Sequence, residues 1–314
     1  MKILCPCPQL FSKEALDYLA SRTKLECKKI SQKKFESYAP KFDALLIRFN
    51  LKVSDKIIGS HSKIKSIICP TTGLDHINLG LCKKYGINIY CLRGKKNFLQ
   101  NITATAELTI ALLLAISRNM YPASRSVLNY KWDQEKFRGI ELKDKIIGII
   151  GFGRLGSIVA KICYSLSMNV VYYDTNKKIK STRFAQKKSL NYILSNSDFI
   201  SLHIPLEKKN IGFLSKKEFK KMKKNVFIIN TSRGKIINDN DLLDVLKKKY
   251  ISGAALDVLS DESETNIKQN KMIKYAKKNN NLLITPHIGG ATRESVIKTD
   301  FFVINEFLKK NKIH

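Results

Sequence analysis

The chain has 314 residues, enough for two domains with separate cores, and its 44% apolar content is that of a globular protein. The net charge of +31 does not point to a specific nucleic-acid partner, because the lysines are spread along the whole chain, often as pairs beside Asn and Ile, with no arginine-rich or aromatic-interleaved stripe. The longest apolar stretch, 108–116, is too short to span a bilayer, and the N-terminus MKILCPCP has neither an apolar h-region nor a cleavage site, so a soluble cytoplasmic protein without membrane contact is expected.

Residues 1–97 alternate short apolar runs with amphipathic stretches. Strands are predicted at 2–5, 44–47, 66–69 and 88–91, with helices such as 13–20 and 79–84 between them, a small α/β unit. Gly86 sits where a helix C-cap is expected, before the last of these strands. Residues 101–119 read as a long helix with Ala104, Leu108, Ala111, Leu112 and Ala115 on one face. From 145 to 285 strands alternate with helices. Strands are predicted at 145–150, 169–173, 199–202, 226–230, 253–256 and 282–284, the six that a doubly wound dinucleotide sheet needs. The lysine-rich stretch 177–188 reads as a surface loop with a short helix, and 239–248 as a helix capped by Asn238 or Asp239 with lysines in its last turn. The final helix, 291–310, cannot belong to that sheet and is expected to pack on the N-terminal unit. The predicted fold class is therefore α/β. A doubly wound parallel-sheet domain is expected over 98–287, and a smaller, discontinuous flavodoxin-like domain over 1–97 and 288–314.

Seven cysteines, at 5, 7, 27, 69, 82, 91 and 163, are odd in number and scattered. Cys5-Pro6-Cys7 has no second pair to complete a zinc knuckle, so reduced, mostly buried thiols and no metal are expected.

The most informative run is IIGIIGFGRLG at 146–156. An apolar strand ends in Gly151-Phe152-Gly153-Arg154-Leu155-Gly156, and Asp174 follows Gly156 by eighteen residues, after the apolar run Val170-Val171-Tyr172-Tyr173. Strand, glycine turn, helix, strand and acid form the dinucleotide-binding fingerprint. Gly151 permits the turn, Gly153 lets backbone approach the pyrophosphate, and Gly156 lets the helix pack close to the strand. Arg154 and Leu155 open the helix, whose free N–H groups suit phosphate. Asp174 is expected to hold the ribose hydroxyls and to favour NAD over NADP, with Lys177 and Lys178 nearby.

Three ionisable residues fall after successive predicted strands, where open α/β sheets place their ligands. They are Arg233 in Asn230-Thr231-Ser232-Arg233-Gly234, Glu262 after Ala255-Leu256-Asp257-Val258, and His287 in Thr285-Pro286-His287-Ile288-Gly289-Gly290-Ala291-Thr292. A cation, a carboxylate and an imidazole are thus expected at one edge.

These motifs resemble the D-isomer-specific 2-hydroxyacid dehydrogenases, over nearly the whole chain and most specifically in NTSRG and TPHIGGAT. The resemblance implies a nicotinamide enzyme acting on a small anionic 2-hydroxy or 2-oxo acid, of the phosphoglycerate or hydroxypyruvate/glyoxylate type, with NAD as cofactor and a homodimer formed through the helix near 101–120 and its neighbours. It implies that Arg233 binds substrate, that His287 handles the proton, and that Glu262 is paired to the histidine. It places Thr231, Pro205 in His203-Ile204-Pro205-Leu206, Asp257, Gly289 and Gly290 at the cofactor. It makes the Thr71–Asp75 loop, with Thr72 and Gly73, a holder of the substrate carboxylate, and Arg48, in the partly matching Arg48-Phe49-Asn50, a further substrate contact. His203 is expected to be structural or cofactor-adjacent. Relatives carry proline directly after the glutamate, whereas Ser263 stands here. The sequence ends at 314, so the C-terminal regulatory domain of many phosphoglycerate dehydrogenases is not expected.

The implied roles agree with the chemistry. Oxidising a 2-hydroxy acid removes a hydride from C2 and a proton from its hydroxyl, and histidine suits that proton. A neighbouring carboxylate orients the ring and stabilises the imidazolium. Arginine offers a bidentate fork to a carboxylate and charge to polarise a carbonyl. Two further readings use the same sequence: a non-catalytic, dinucleotide-sensing protein resembling the family's corepressor relatives, and a charge-driven nucleic-acid binder with a clustered basic face.

Overall fold

The computed structural model describes residues 1–262 and 266–313; Ser263 lies outside them. The chain divides into two compact units, Met1–Ile102 with Ala291–His314, and Thr103–Gly290.

In the first unit five strands form one parallel sheet: β1 (Lys2–Cys5), β2 (Lys24–Cys27), β3 (Ala44–Leu46), β4 (Ser66–Cys69) and β5 (Asn88–Cys91). Their order is β2-β1-β3-β4-β5, the flavodoxin-like arrangement. Alternate residues leave for opposite faces, and helices cover both. Leu4, Leu45, Ile47 and Ile67 pack with Phe35 on one face. Ile3, Leu46 and Ile68 pack with Ala15, Leu19 and Phe307 on the other. Phe307 belongs to the C-terminal helix Arg293–Lys310, whose Val303, Ile304 and Leu308 are also buried there. Strand β2 escapes the sequence pattern because KLEC carries two charged residues in four and lies at the sheet edge, half solvated.

The second unit holds seven parallel strands rather than the six expected: β6 (Ile146–Ile150), β7 (Asn169–Tyr173), β8 (Gln186–Lys187), β9 (Phe199–Leu202), β10 (Phe227–Asn230), β11 (Gly253–Leu256) and β12 (Leu282–Ile284). The order is β12-β11-β10-β9-β6-β7-β8, so the direction of winding reverses between β6 and β9. The additional strand, β8, is a two-residue polar edge inside the stretch expected to be a loop with a short helix. Its backbone pairs with Val171 and Tyr172, which no apolar run announces.

The expected helix 101–119 is shorter, Ala104–Ser117, and a second helix, Met120–Leu128, follows it. Asn119, at φ 52°, breaks the two apart, and Pro122 in the first turn of the second is the sequence mark of its start. Residues Lys96–Ser117 reach membrane-spanning length and apolarity, more than the run read from sequence. Ala106, Ile110, Leu112, Leu113 and Ile116 are nevertheless buried among Ile147, Ile149, Ile229 and Ala255 of the sheet, as in a core helix.

Candidate active site

One transverse row of backbone pairs ends the strands of the second sheet. Ile150 pairs with Tyr173 on one side and Leu202 on the other; Leu202 pairs with Asn230, Asn230 with Leu256, and Leu256 with Ile284. Gly151, Asp174, His203, Thr231, Asp257 and Thr285 each follow this row by one residue, so every candidate loop of this unit leaves the same edge of the sheet.

The glycine turn is built as its spacing requires. Gly151 has φ +94°, and a Cβ there would meet the His203 carbonyl oxygen at 2.6 Å. A Cβ on Gly156 would lie 2.1 Å from the Gly151 oxygen, so the helix Arg154–Ser165 runs almost in contact with the turn. Gly153, the N-cap, differs: nothing lies within 4 Å of its would-be Cβ. Its bare side opens to solvent beside the helix N-terminus, a cradle that a side chain would fill and a pyrophosphate fits. Asp174 accepts the Phe152 N–H at 2.8 Å and the Asn176 N–H at 2.7 Å, which fixes its carboxylate next to the turn. Burial lowers the Arg154 pKa at the head of the helix, and Leu155 packs partly into the core behind it. Pro205 is exposed, and its carbonyl accepts from Asn210 Nδ2. The His203 ring lies 2.8 Å from Ser201 Oγ, and burial pushes its pKa down to about 4.

Beyond β10, β11 and β12 three loops interlock. Asn230 accepts from the N–H and hydroxyl of Ser232 and donates to the Arg233 carbonyl, closing a tight turn that the sequence reading quoted without assigning it a role. Arg233 Nη1 donates to the Ser232 carbonyl at 2.7 Å. Gly234 lies against the Leu259 backbone, which brings the arginine loop onto the loop carrying Glu262. Thr109 donates its hydroxyl proton to the Thr105 carbonyl, so the 2.8 Å contact between Thr231 and Thr109 has Thr231 as donor.

Glu262 Oε2 lies 2.7 Å from His287 Nδ1, while Oε1 accepts the Leu259 N–H at 3.1 Å. The pair is partly exposed, with side-chain accessibilities of 20% for the histidine and 34% for the glutamate. His287 adopts φ +55°, a left-handed conformation uncommon outside glycine. Asp257 maintains it. Its carbonyl accepts the His287 N–H, and its carboxylate accepts from Thr285 Oγ1 (2.6 Å), Ile288 N–H (2.8 Å) and Gly289 N–H (2.7 Å). Burial pushes the Asp257 carboxyl up, and these three donors and the His287 charge oppose it. Gly289 is buried against Asp257 and Thr105, whereas Gly290 is exposed with open space at its Cβ position.

The remaining candidates lie in the first unit. Thr72 is exposed and Gly73 half-buried after β4, in a loop tied by Thr71 Oγ1 donating to the Gly73 carbonyl at 2.8 Å. Arg48, expected to be a substrate contact, is 9% exposed. Its Nη2 is 2.6 Å from Asp300 Oδ1 on the C-terminal helix, and its Nη1 donates to the Pro70 carbonyl. The structure gives this guanidinium a bracing role, because its charge is already met inside the unit. Among the described residues no group of three or more His, Cys, Asp or Glu side chains is arranged to hold a metal ion.

Residues 110–289 match the family model described as D-isomer specific 2-hydroxyacid dehydrogenase, NAD binding domain. The D-3-phosphoglycerate dehydrogenase of Archaeoglobus fulgidus is 34% identical over 99% of this chain, which spans 58% of that relative's length. The hydroxypyruvate reductase of Thermotoga maritima is 30% identical over 95% of both chains. The structure of D-lactate dehydrogenase from Aquifex aeolicus complexed with NAD and lactic acid superposes with a TM-score of 0.83 at 25% identity, covering 99% of this chain and 96% of the other.

Proposed function

The chain belongs to the D-isomer-specific 2-hydroxyacid dehydrogenase family, and from that premise we propose that it is an NAD-dependent oxidoreductase interconverting a small anionic 2-hydroxy acid and its 2-oxo acid. The observation that carries the reading is the 2.7 Å pair of His287 and Glu262, on the same strand-end row as the Gly151–Gly156 turn. NAD, held by that turn with Gly153 against the pyrophosphate and Asp174 at the ribose, supplies the hydride acceptor when bound.

The chain's own residues do the rest. Glu262 on Nδ1 fixes the orientation of the imidazole and directs Nε2 to the substrate hydroxyl. In oxidation Nε2 takes the hydroxyl proton as the hydride leaves C2, and Glu262 stabilises the resulting imidazolium; in reduction Nε2 returns the proton to the carbonyl oxygen. Arg233 holds the substrate carboxylate and polarises the carbonyl. Asp257 and Asn230 act through their side chains, which hold the histidine and arginine loops. Thr231, Pro205, Gly289 and Gly290 line the cofactor's approach.

The high positive charge favours a substrate with a second negative group. Self-association through the region after residue 119 is supported by its exposed apolar side chains: Leu128 (78%), Tyr130 (101%) and Trp132 (88%). A cytoplasmic location is supported by a cysteine set that forms no disulfide framework.

NADH oxidation with hydroxypyruvate, glyoxylate, 3-phosphohydroxypyruvate, pyruvate and 2-oxoglutarate tests the proposal. Turnover with one or more is expected, lost in His287→Ala with NADH binding retained. No turnover with any of them, or full activity in that variant, defeats it.

A further inference from the structure

The first unit contains a thiol cluster that the dehydrogenase chemistry does not use. Cys5 ends β1 and Cys27 ends β2, and the register sets them directly opposite each other. Neighbouring strands run about 4.8 Å apart, within the range of roughly 4.4–6.8 Å between Cα atoms that a disulfide spans. Both side chains leave the same face of the sheet as Ile3 and Leu25, and Cys5 is completely buried while Cys27 is exposed.

We propose that Cys27 and Cys5 form a peroxide-reactive thiol pair, with Cys27 as the attacking sulfur and Cys5 as the resolving one. The electrostatics favour this order. Cys27, Cys7 and burial push the Cys5 thiol up, so it remains the protonated partner, while the neighbouring Cys5 thiol lowers the Cys27 pKa. Cys7 is also held low, by Cys5 and by the Arg48 backbone N–H, but it is completely buried, so peroxide reaches Cys27 first.

The Cys27 thiolate attacks one oxygen of hydrogen peroxide. An S–O bond forms, the O–O bond breaks, and the departing hydroxide takes from solvent the proton that the thiol released on ionising, becoming water and leaving a sulfenic acid. Cys5 sulfur then attacks Cys27 sulfur. The S–S bond forms, the S–O bond breaks, and the leaving hydroxide takes the Cys5 proton as a second water. Two thiols lose two electrons and one peroxide gains them.

A second cross-strand pair shows what is special about the first. Cys69 and Cys91 are also directly opposite, on β4 and β5. Cys69 Sγ turns instead to Thr71 Oγ1 (3.1 Å) and lies 3.5 Å from His76 Nε2, so its sulfur already has partners other than Cys91.

The test is peroxide treatment of the reduced protein, alkylation after unfolding, and non-reducing tryptic mapping. Lys2, Lys13, Lys24 and Lys28 place Cys5 with Cys7 in one peptide and Cys27 in another. The expected result is a cross-link between the two peptides that forms equally in Cys7→Ser, is reversed by dithiothreitol, and disappears in Cys27→Ser, whose exposed position does not endanger folding. Two results overturn the proposal: Cys27 oxidised to a sulfinic or sulfonic acid while Cys5 still alkylates, or a cross-link lost in Cys7→Ser.

Discussion

Gly234 and Leu259 touch backbone to backbone: a Cβ on the glycine would sit 1.9 Å from the Leu259 carbonyl carbon and 2.4 Å from the Ser260 nitrogen. The contact involves rigid main chain on both sides, so neither partner can yield by turning a rotamer. It also joins the turn that presents Arg233 to the loop that presents Glu262.

Gly234→Ala is therefore expected to push these loops apart. Overpacking of this kind costs about 1–3 kcal/mol, and turnover should fall further than stability explains, because two groups of the site move together. Urea unfolding and kcat/KM measured on the same preparation check this; an alanine variant with parental kcat/KM contradicts it.

Gly153→Val addresses the opposite situation. Its Cβ position is open and its φ of −80° suits any L residue, so the apo protein should lose only the modest stability that a poorer N-cap costs. The valine would occupy the space assigned to the pyrophosphate, and NADH affinity is expected to fall at least about 10-fold, the equivalent of ~1.4 kcal/mol. Cofactor titration by fluorescence reads the effect, and undiminished affinity would remove Gly153 from the cofactor site.

Glu262→Gln keeps the size of the side chain and removes the charge beside His287. The loss of a positioned acid–base partner is expected to lower kcat by about 10²-fold or more, with NADH binding unchanged. Parental kcat in this variant would show that the 2.7 Å pair is structural only.

His203 contributes a pH dependence of known sign. Its folded pKa, about 4, lies below the ordinary 6.5, so the unfolded chain binds the extra proton between those values. Stability conferred by the neutral ring is complete above pH 6.5 and is lost as pH falls toward 4, by up to about 3 kcal/mol. The denaturant midpoint should fall less between pH 7 and pH 4.5 in His203→Asn than in the parent; equal losses in both proteins would refute the assignment.

Asp300→Ala leaves the Arg48 guanidinium buried without its carboxylate and also removes the acceptor for the Ser12 N–H. Breaking one side of a buried pair costs about 3–5 kcal/mol. Thermal unfolding measures it, and a shift within the error of a surface mutation would mean that the pair carries little.

Much of the fold is legible before any coordinates because its signals are local. Apolar runs ended by glycine or polar turns mark β1, β3 to β7 and β9 to β12 almost to the residue. Strands β2 and β8 leave little trace, since edge strands bury one side at most and gain their identity from a neighbour's hydrogen bonds. Arg233, Glu262 and His287 can be named from sequence because each stands shortly after a recognisable strand. Asn230 and Gly234 have no such mark; one acts by closing a turn and the other by admitting a backbone from elsewhere.

The sequence alone determined the glycine turn and its acid, the strand-by-strand alternation, and the motifs that place the chain in its family, all of which are written within spans of tens of residues. Tertiary structure decided which strand ends stand in one row, that Arg48 spends its charge on an aspartate 252 residues away, and that Cys5 faces Cys27. The reason is physical. Local pattern fixes backbone geometry through sterics and turn chemistry, whereas the partner of a buried charge or thiol is fixed by whichever distant surface packing brings within a few ångströms.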